Sequence, residues 1–252
     1  HHLKNIVVAL DLSKMDESVM DYLSYFTKAL LPDSLTFVHV IPEHTIPEGV
    51  FASKEDKQDY QEKHKAETRK KLEALIERHW GHRSDIKPAL TLLEGNPLKE
   101  LLHFLQSHPY DLLVVGKKKV SSGSGIVAHK LARRIEGSIL FVPTDAPKTI
   151  ERMLLPVDFS KDSLAAAKMA VQLSPLLDDP TLQVIHVYDV PPAVSIKIGR
   201  TPEQFSQMIR ANVEEAMQKF IEKIAPGKAH VKTDLVYNKH TSPSRQLIDY
   251  AE

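Results

Sequence analysis

An aspartate set after a short apolar run, and a lysine- and serine-bearing glycine loop set after another, are the residues best suited to chemistry. Asp11 follows Ile6 to Leu10, and Gly116-Lys117-Lys118-Lys119-Val120-Ser121-Ser122-Gly123-Ser124-Gly125 follows Leu112 to Val115. A carboxylate at a strand end accepts hydrogen bonds from a ribose or a base. A glycine and serine loop that opens a helix offers free backbone N–H groups at a positive dipole end, which suits a phosphate. Lysines beside it add charge. The bland alternative is equally concrete: a strand-to-helix turn kept soluble by its lysines, with Ser124 capping the helix and Asp11 or Ser13 capping the one before. The loop is not a Walker sequence, because no G-x-x-x-x-G-K-[ST] spacing occurs in it.

These residues need a scaffold that brings strand ends together, and the chain spells one out twice. Leu10-Asp11-Leu12-Ser13-Lys14 returns as Val157-Asp158-Phe159-Ser160-Lys161, and Phe37-Val38-His39-Val40 returns as Val184-Ile185-His186-Val187. Both pairs are 147 positions apart (158 minus 11; 186 minus 39), so the length between the motifs is kept. A period this long signifies two domains in tandem rather than a solenoid. The 252 residues accommodate them, with the joint at Thr144-Asp145-Ala146-Pro147-Lys148 dividing residues 1–146 from residues 147–252.

Short β-branched runs alternate with segments of helical period. In the first half the strands fall at Ile6 to Leu10, Leu35 to Ile41, Ile86 to Leu93, Leu112 to Val115 and Ile139 to Val142. Helices lie between them, with a long charged one from Lys54 to Trp80, one from Pro97 to Ser107 and one from Ile126 to Ile135. Such alternation calls for a parallel sheet covered on both faces, and the strands are apolar throughout, as two-sided burial requires. Val19, Leu23, Phe26 and Leu30 form the buried stripe of the first helix; Ala166, Ala170, Leu173 and Leu177 are expected to repeat it. The second half runs through Met153 to Val157, Leu182 to Val187, a helix from Pro202 to Ile224, Val231 to Tyr237 and a helix from Pro243. By the repeat offset Glu252 matches position 105, so the second copy reads as truncated, lacking its last two strands and helix, or as completed by another chain.

With 33 basic and 33 acidic residues the chain has no net charge, which argues against nucleic acid or a membrane surface as partner. The absence of cysteine removes disulfides and thiol chemistry. No apolar run reaches the roughly 18 residues of a membrane span, so a cytoplasmic protein is expected. His39 and His186 recur inside apolar strands and read as hydrogen-bonded core residues. His79-Trp80-Gly81-His82 has the H-x-G-H spacing of nucleotidyl transferases but sits at a helix end rather than after strand one. No metal site, Ser-His-Asp order or nucleophile elbow stands out.

The Asp-centred motifs, above all Leu154-Leu155-Pro156-Val157-Asp158-Phe159-Ser160 with Ser163 following, the His-Val pairs ending strand two, and Val114-Val115-Gly116 followed later by Ser138-Ile139-Leu140-Phe141-Val142-Pro143, together resemble the universal stress protein family. The resemblance is to its tandem type. It implies two doubly wound open parallel sheets of strand order 3-2-1-4-5, of the adenine nucleotide alpha-hydrolase-like kind, pairing between the halves or as a homodimer. Some members bind ATP with the Asp after strand one, the backbone ending strand two and a loop G-x2-G-x9-G-[ST]. Asp11, Val40, Ile41 and Gly116 match, with Lys117, Lys118, Ser122, Gly123, Ser124 and Gly125 available in the loop. The loop departs from the pattern, since eight residues separate Gly116 from Gly125 and Ile126 stands at the Ser/Thr position. Two functions follow as expectations: a non-enzymatic stress-response module acting by protein association without nucleotide, and an ATP sensor, with magnesium, built on Asp11 and the Gly116 to Gly125 loop.

Overall fold

The computed structural model describes residues 3–43, 51, 53–81, 85–117, 130–147, 149–190, 201–225, 231–238 and 242–251. The chain forms two compact units, residues 1–148 and 149–252.

In the first unit β1 (Asn5–Leu10), β2 (Ser34–Ile41), β3 (Ala89–Glu94), β4 (Leu112–Lys117) and β5 (Ser138–Pro143) make one sheet in the order β3-β2-β1-β4-β5. Every pairing is parallel. Helices α1 (Met15–Leu30), α2 (Lys54–Trp80) and α3 (Pro97–Ser107) supply the crossovers. The strand order reverses at β1, whose two neighbours run to opposite sides of the sheet, and that is where an open α/β sheet leaves a crevice.

Alternation along β2 sends successive side chains to different faces. Phe37 meets the α2 residue Trp80 edge to face, ring centroids 6.4 Å apart, while Val38 packs with Val7, Leu101, Phe104, Leu105 and Leu113 on the α3 side. The expected stripe of α1 is buried, with Val19 and Leu23 fully inaccessible. Helix α2 buries one edge through Thr68, Leu72, Ile76 and Trp80 and leaves its charged residues outside. Strand β3 starts at Ala89 rather than at Ile86. Pro88 has no N–H to donate, and pairing of this edge strand with β2 begins just after it, although Ile86 is still buried.

In the second unit β6 (Arg152–Pro156), β7 (Thr181–Tyr188) and β8 (Val231–Tyr237) form a parallel three-stranded sheet in the order β6-β7-β8. Helix α4 (Lys161–Leu173) runs on into a 3-10 turn, and α5 (Pro202–Ile224) and α6 (Pro243–Ala251) complete the unit. Its core joins Val157, Ala167, Val171, Leu182, Val184, Met217 and Phe220. The stripe expected on α4 is corrected by this geometry. Ala166 is exposed and Leu173 half-buried, while Ala167, Ala170 and Val171 are buried. In the first unit α1 packs on β4 and β5; among the described residues the three-stranded sheet has no strands in those places, and the face bearing Ala166 is left exposed. No described helix is long and apolar enough to cross a membrane.

Candidate functional site

A cavity of about 260 Å³ opens at the carboxyl ends of β1, β2 and β4, where the strand order reverses. Ala9 and Leu10, then Val38, His39 and Val40, then Val115 and Gly116 bring the three strand ends to it. Asp11, Met15 and Asp16 close one side and Pro97, Leu101 and Leu131 another. The wall is mostly apolar, with carboxyl groups concentrated at the β1 end.

The turn from β1 into α1 sets those carboxyls. Asp11 Oδ1 accepts the backbone N–H of Ser13 at 3.1 Å, and Ser13 Oγ accepts that of Met15 at 3.2 Å. Leu12 between them takes a left-handed conformation, φ 57°. The helix carries no side-chain cap at Lys14; instead the buried Asp16 carboxylate reaches back and accepts the N–H groups of Asp11 at 3.2 Å and Leu12 at 2.8 Å. Burial pushes the Asp16 carboxyl up to about 7, the backbone donors pull the other way, and the charge of Asp11 raises it further. Asp11 and Asp16 line the same side of the cavity.

His39 lies two residues before the end of β2 with its Nδ1 2.9 Å from the carbonyl oxygen of Leu10, which ties the β1 and β2 ends together. Desolvation holds its pKa below the ordinary value, so the buried ring is neutral at pH 7 and Nδ1 is the protonated nitrogen that donates to that carbonyl. Gly116 permits close approach of α1, since a Cβ there would lie 2.4 Å from Met15 Cγ and 3.2 Å from Val19 Cγ2. At the rear Gly95, at φ 134°, turns β3 into α3 and donates its N–H to Ile41 at 3.0 Å. Such a φ is open to glycine and strained for other residues.

Of the sequence-derived site residues, Asp11, Val40 and Gly116 line the cavity, Ile41 is the buried last residue of β2, and Lys117 is the exposed last residue of β4. Lys118, Ser122, Gly123, Ser124 and Gly125 lie outside the described residues. Sequence reasoning missed Asp16, and assigned His39 to the core without placing it on a cavity wall. A signal for Asp16 was present, because the repeat offset aligns it with Ser163 and Met15 with Asp162, so the chemistry changes at both positions just after the shared Asp-x-Ser-Lys. Around that serine the second unit keeps the turn. Asp158 Oδ1 accepts the N–H of Ser160 at 3.0 Å, Phe159 has φ 62°, and His186 Nδ1 lies 2.7 Å from the Val157 carbonyl. Ser160 caps α4 in the ordinary way, accepting from Ser163 at 3.1 Å.

A five-stranded parallel sheet of order 3-2-1-4-5 with helical crossovers defines an α/β domain of the adenine nucleotide alpha-hydrolase-like fold. The chain belongs to the universal stress protein family, whose pattern matches residues 2–143. A universal stress protein from Archaeoglobus fulgidus DSM 4304 shares the fold with a TM-score of 0.60 at 17% identity, covering 99% of this chain and 82% of that one. A universal stress protein in complex with cAMP matches 57% of this chain and 100% of its own at 20% identity, TM-score 0.42. One from Archaeoglobus fulgidus in complex with dAMP matches 56% and 99% at 18% identity, TM-score 0.37. No curated protein matches the chain.

Proposed function

We propose that the first unit is a non-enzymatic regulatory module that binds an adenine nucleotide in the cavity between Asp11 and Gly116. The carrying observation is the position of that cavity: it is the crevice at the strand reversal, with an apolar floor and a carboxyl acceptor at one end. About 260 Å³ is below the roughly 300–1,000 Å³ usual for whole small-ligand sites, so it suits a nucleoside with its phosphates lying outside. The exposed Lys117 follows the cavity-lining Gly116 at the end of β4.

Calorimetric titration of ATP with magnesium, cAMP and dAMP tests the reading. Saturable binding to one site, weakened about tenfold or more by Asp11→Ala through loss of a charged hydrogen bond, is expected. Absence of binding by all three to folded protein would sink it.

A second reading, association without nucleotide, is favoured by β5. Among the described strands it pairs on one side only, and a bare strand edge is a template for a second copy. Sedimentation equilibrium giving a monomer at every concentration would remove that reading.

A further inference from the structure

His39 Nδ1 lies 2.9 Å from the Leu10 carbonyl oxygen, and a carbonyl only accepts, so the proton of the neutral ring sits on Nδ1 and Nε2 keeps its lone pair. No described residue bonds that second nitrogen. His39 is 7% exposed and lines the cavity, and a buried acceptor without a partner costs free energy until a donor reaches it. We propose that His39 is a specificity-determining residue of the cavity, its Nε2 accepting a hydrogen bond from the exocyclic amino group of an aminopurine base. This role rests on the nucleotide reading of the same cavity, and it fixes which end of the nucleotide lies at β2.

The lining sorts the parts of a nucleotide. Its polar side chains are Asp11, Asp16 and His39, and no described lining residue is a lysine or an arginine. A phosphate brings acceptor oxygens and negative charge and meets no cation there, whereas an amino group meets the His39 lone pair. The strands run in the order β2, β1, β4, so the His39 end and the Gly116 end are two strand spacings, about 10 Å, apart. Lys117 follows Gly116 on β4. A nucleotide that spans the cavity with its phosphate toward that lysine has its base toward β2. The amino group of adenine then donates to Nε2. The 6-oxo group of hypoxanthine sets an acceptor against an acceptor, and an unsubstituted C6 leaves Nε2 without a partner.

The second unit puts the matched ring to a different use. His186 Nδ1 lies 2.7 Å from the Val157 carbonyl oxygen, which fixes the same tautomer, but Phe159 sets its own ring 4.3 Å from that of His186. The repeat offset matches Phe159 with Leu12, which is 41% exposed, and no described aromatic ring packs on His39. What lies beside the histidine in the first unit is the cavity, so recognition of a base belongs to that unit.

The probes are cAMP and the two analogues that carry oxygen or hydrogen in place of its 6-amino group, all with the same ribose and the same phosphodiester charge. Calorimetry on the full chain at pH 7 is run on the wild type, on His39→Asn and on His39→Gln, with circular dichroism as the check on folding. Asparagine keeps an amide nitrogen to donate to Leu10 but has no atom at the Nε2 position; the longer glutamine restores an acceptor there. The wild type is expected to bind cAMP about ten- to a hundredfold more tightly than either analogue, the ratio set by one buried hydrogen bond. His39→Asn should bind all three alike, and His39→Gln should regain part of the preference. Equal binding of the three by the wild type, or a preference for cAMP that survives in His39→Asn, would overturn the role of His39 while leaving nucleotide binding in place. Failure of all three to bind the folded wild type would overturn the role together with the nucleotide reading. Nitrogen-15 NMR of the wild type needs no variant: an Nε2 without a proton, whose resonance moves on addition of cAMP, is expected, and a protonated or unmoved Nε2 would overturn the role.

Discussion

The Asp16 carboxylate accepts the backbone N–H of Leu12 at 2.8 Å, so a buried acid holds the left-handed residue of the β1–α1 turn from one turn further along the helix. The arrangement replaces a helix cap with a group whose charge is unwelcome where it sits. Its energetic signature is a pH dependence of stability opposite in sign to that of most carboxylates.

The ordinary Asp value is 3.8 and burial raises Asp16 to about 7. Below 3.8 the group is protonated in both states and its favourable contribution is complete. Between those values the unfolded chain gives up the proton and the folded chain keeps it, so stability falls as pH rises through about 7. Three units at about 1.36 kcal/mol each cap the effect at roughly 4 kcal/mol. Asp16→Asn is expected to destabilise at pH 4, where it loses an acceptor, and to be neutral or stabilising at pH 8. Urea unfolding followed by the fluorescence of the single tryptophan, buried Trp80, reads the first unit directly. A variant that costs the same at both pH values would contradict the prediction.

Asp158 should behave in the opposite sense. Hydrogen bonds from Ser160, then from Ser163, hold its exposed carboxyl down at about 2. Whatever it contributes is present above the ordinary Asp range and is lost as pH falls through about 2. Ser163→Ala removes one donor and is expected to move the midpoint back toward the ordinary range. A carbon-13 titration of the Asp158 carboxyl that does not move in this variant would rule the account out.

Leu12 and Phe159 share one backbone conformation, and glycine substitution separates their roles. A left-handed non-glycine residue costs about 1–2 kcal/mol. Leu12 is largely exposed, so Leu12→Gly relieves strain at little packing cost and is expected to leave stability unchanged or raise it by up to about 1 kcal/mol. The Phe159 ring lies 4.3 Å from that of His186 and 5.8 Å from that of Phe220. Phe159→Gly is expected to cost about 2–4 kcal/mol despite relieving the same strain. Thermal unfolding of both variants by calorimetry checks the contrast, and equal effects would refute it.

The sheet was legible because strand order in such a fold follows from apolar β-branched runs separated by helical period, and because the repeat offset tied Asp11 to Asp158 and His39 to His186. The ends of β1, β2 and β4 therefore met where the motifs implied. Burial was less legible. Ala166 occupies the position of Val19 in the pattern, yet its exposure depends on which strands lie beneath the helix, a property of the sheet rather than of the helix. Asp16 could be seen to differ from Ser163, but only the fold shows that its carboxylate turns inward onto the backbone of Asp11 and Leu12.

Gly116 couples the strand end to the cavity through Met15. A Cβ at this position would stand 2.4 Å from Met15 Cγ, closer than non-bonded carbons come, and 3.2 Å from Val19 Cγ2. Met15 is flexible and can give way, but Val19 is fully buried in the α1 stripe and cannot move without the helix. Gly116→Ala is therefore expected to cost about 1–3 kcal/mol, the usual range for an overpacked core. The displaced Met15 side chain has the cavity as its neighbour, so the same variant should also weaken ligand binding. Met15→Ala in the same chain removes the closer clash and leaves the Val19 contact. The double variant should thus recover part of the stability, with a coupling of about 0.5–3 kcal/mol between the two sites. Urea unfolding of the four proteins measures it through Trp80. Strict additivity would show that the tight contact at Gly116 is with something other than Met15.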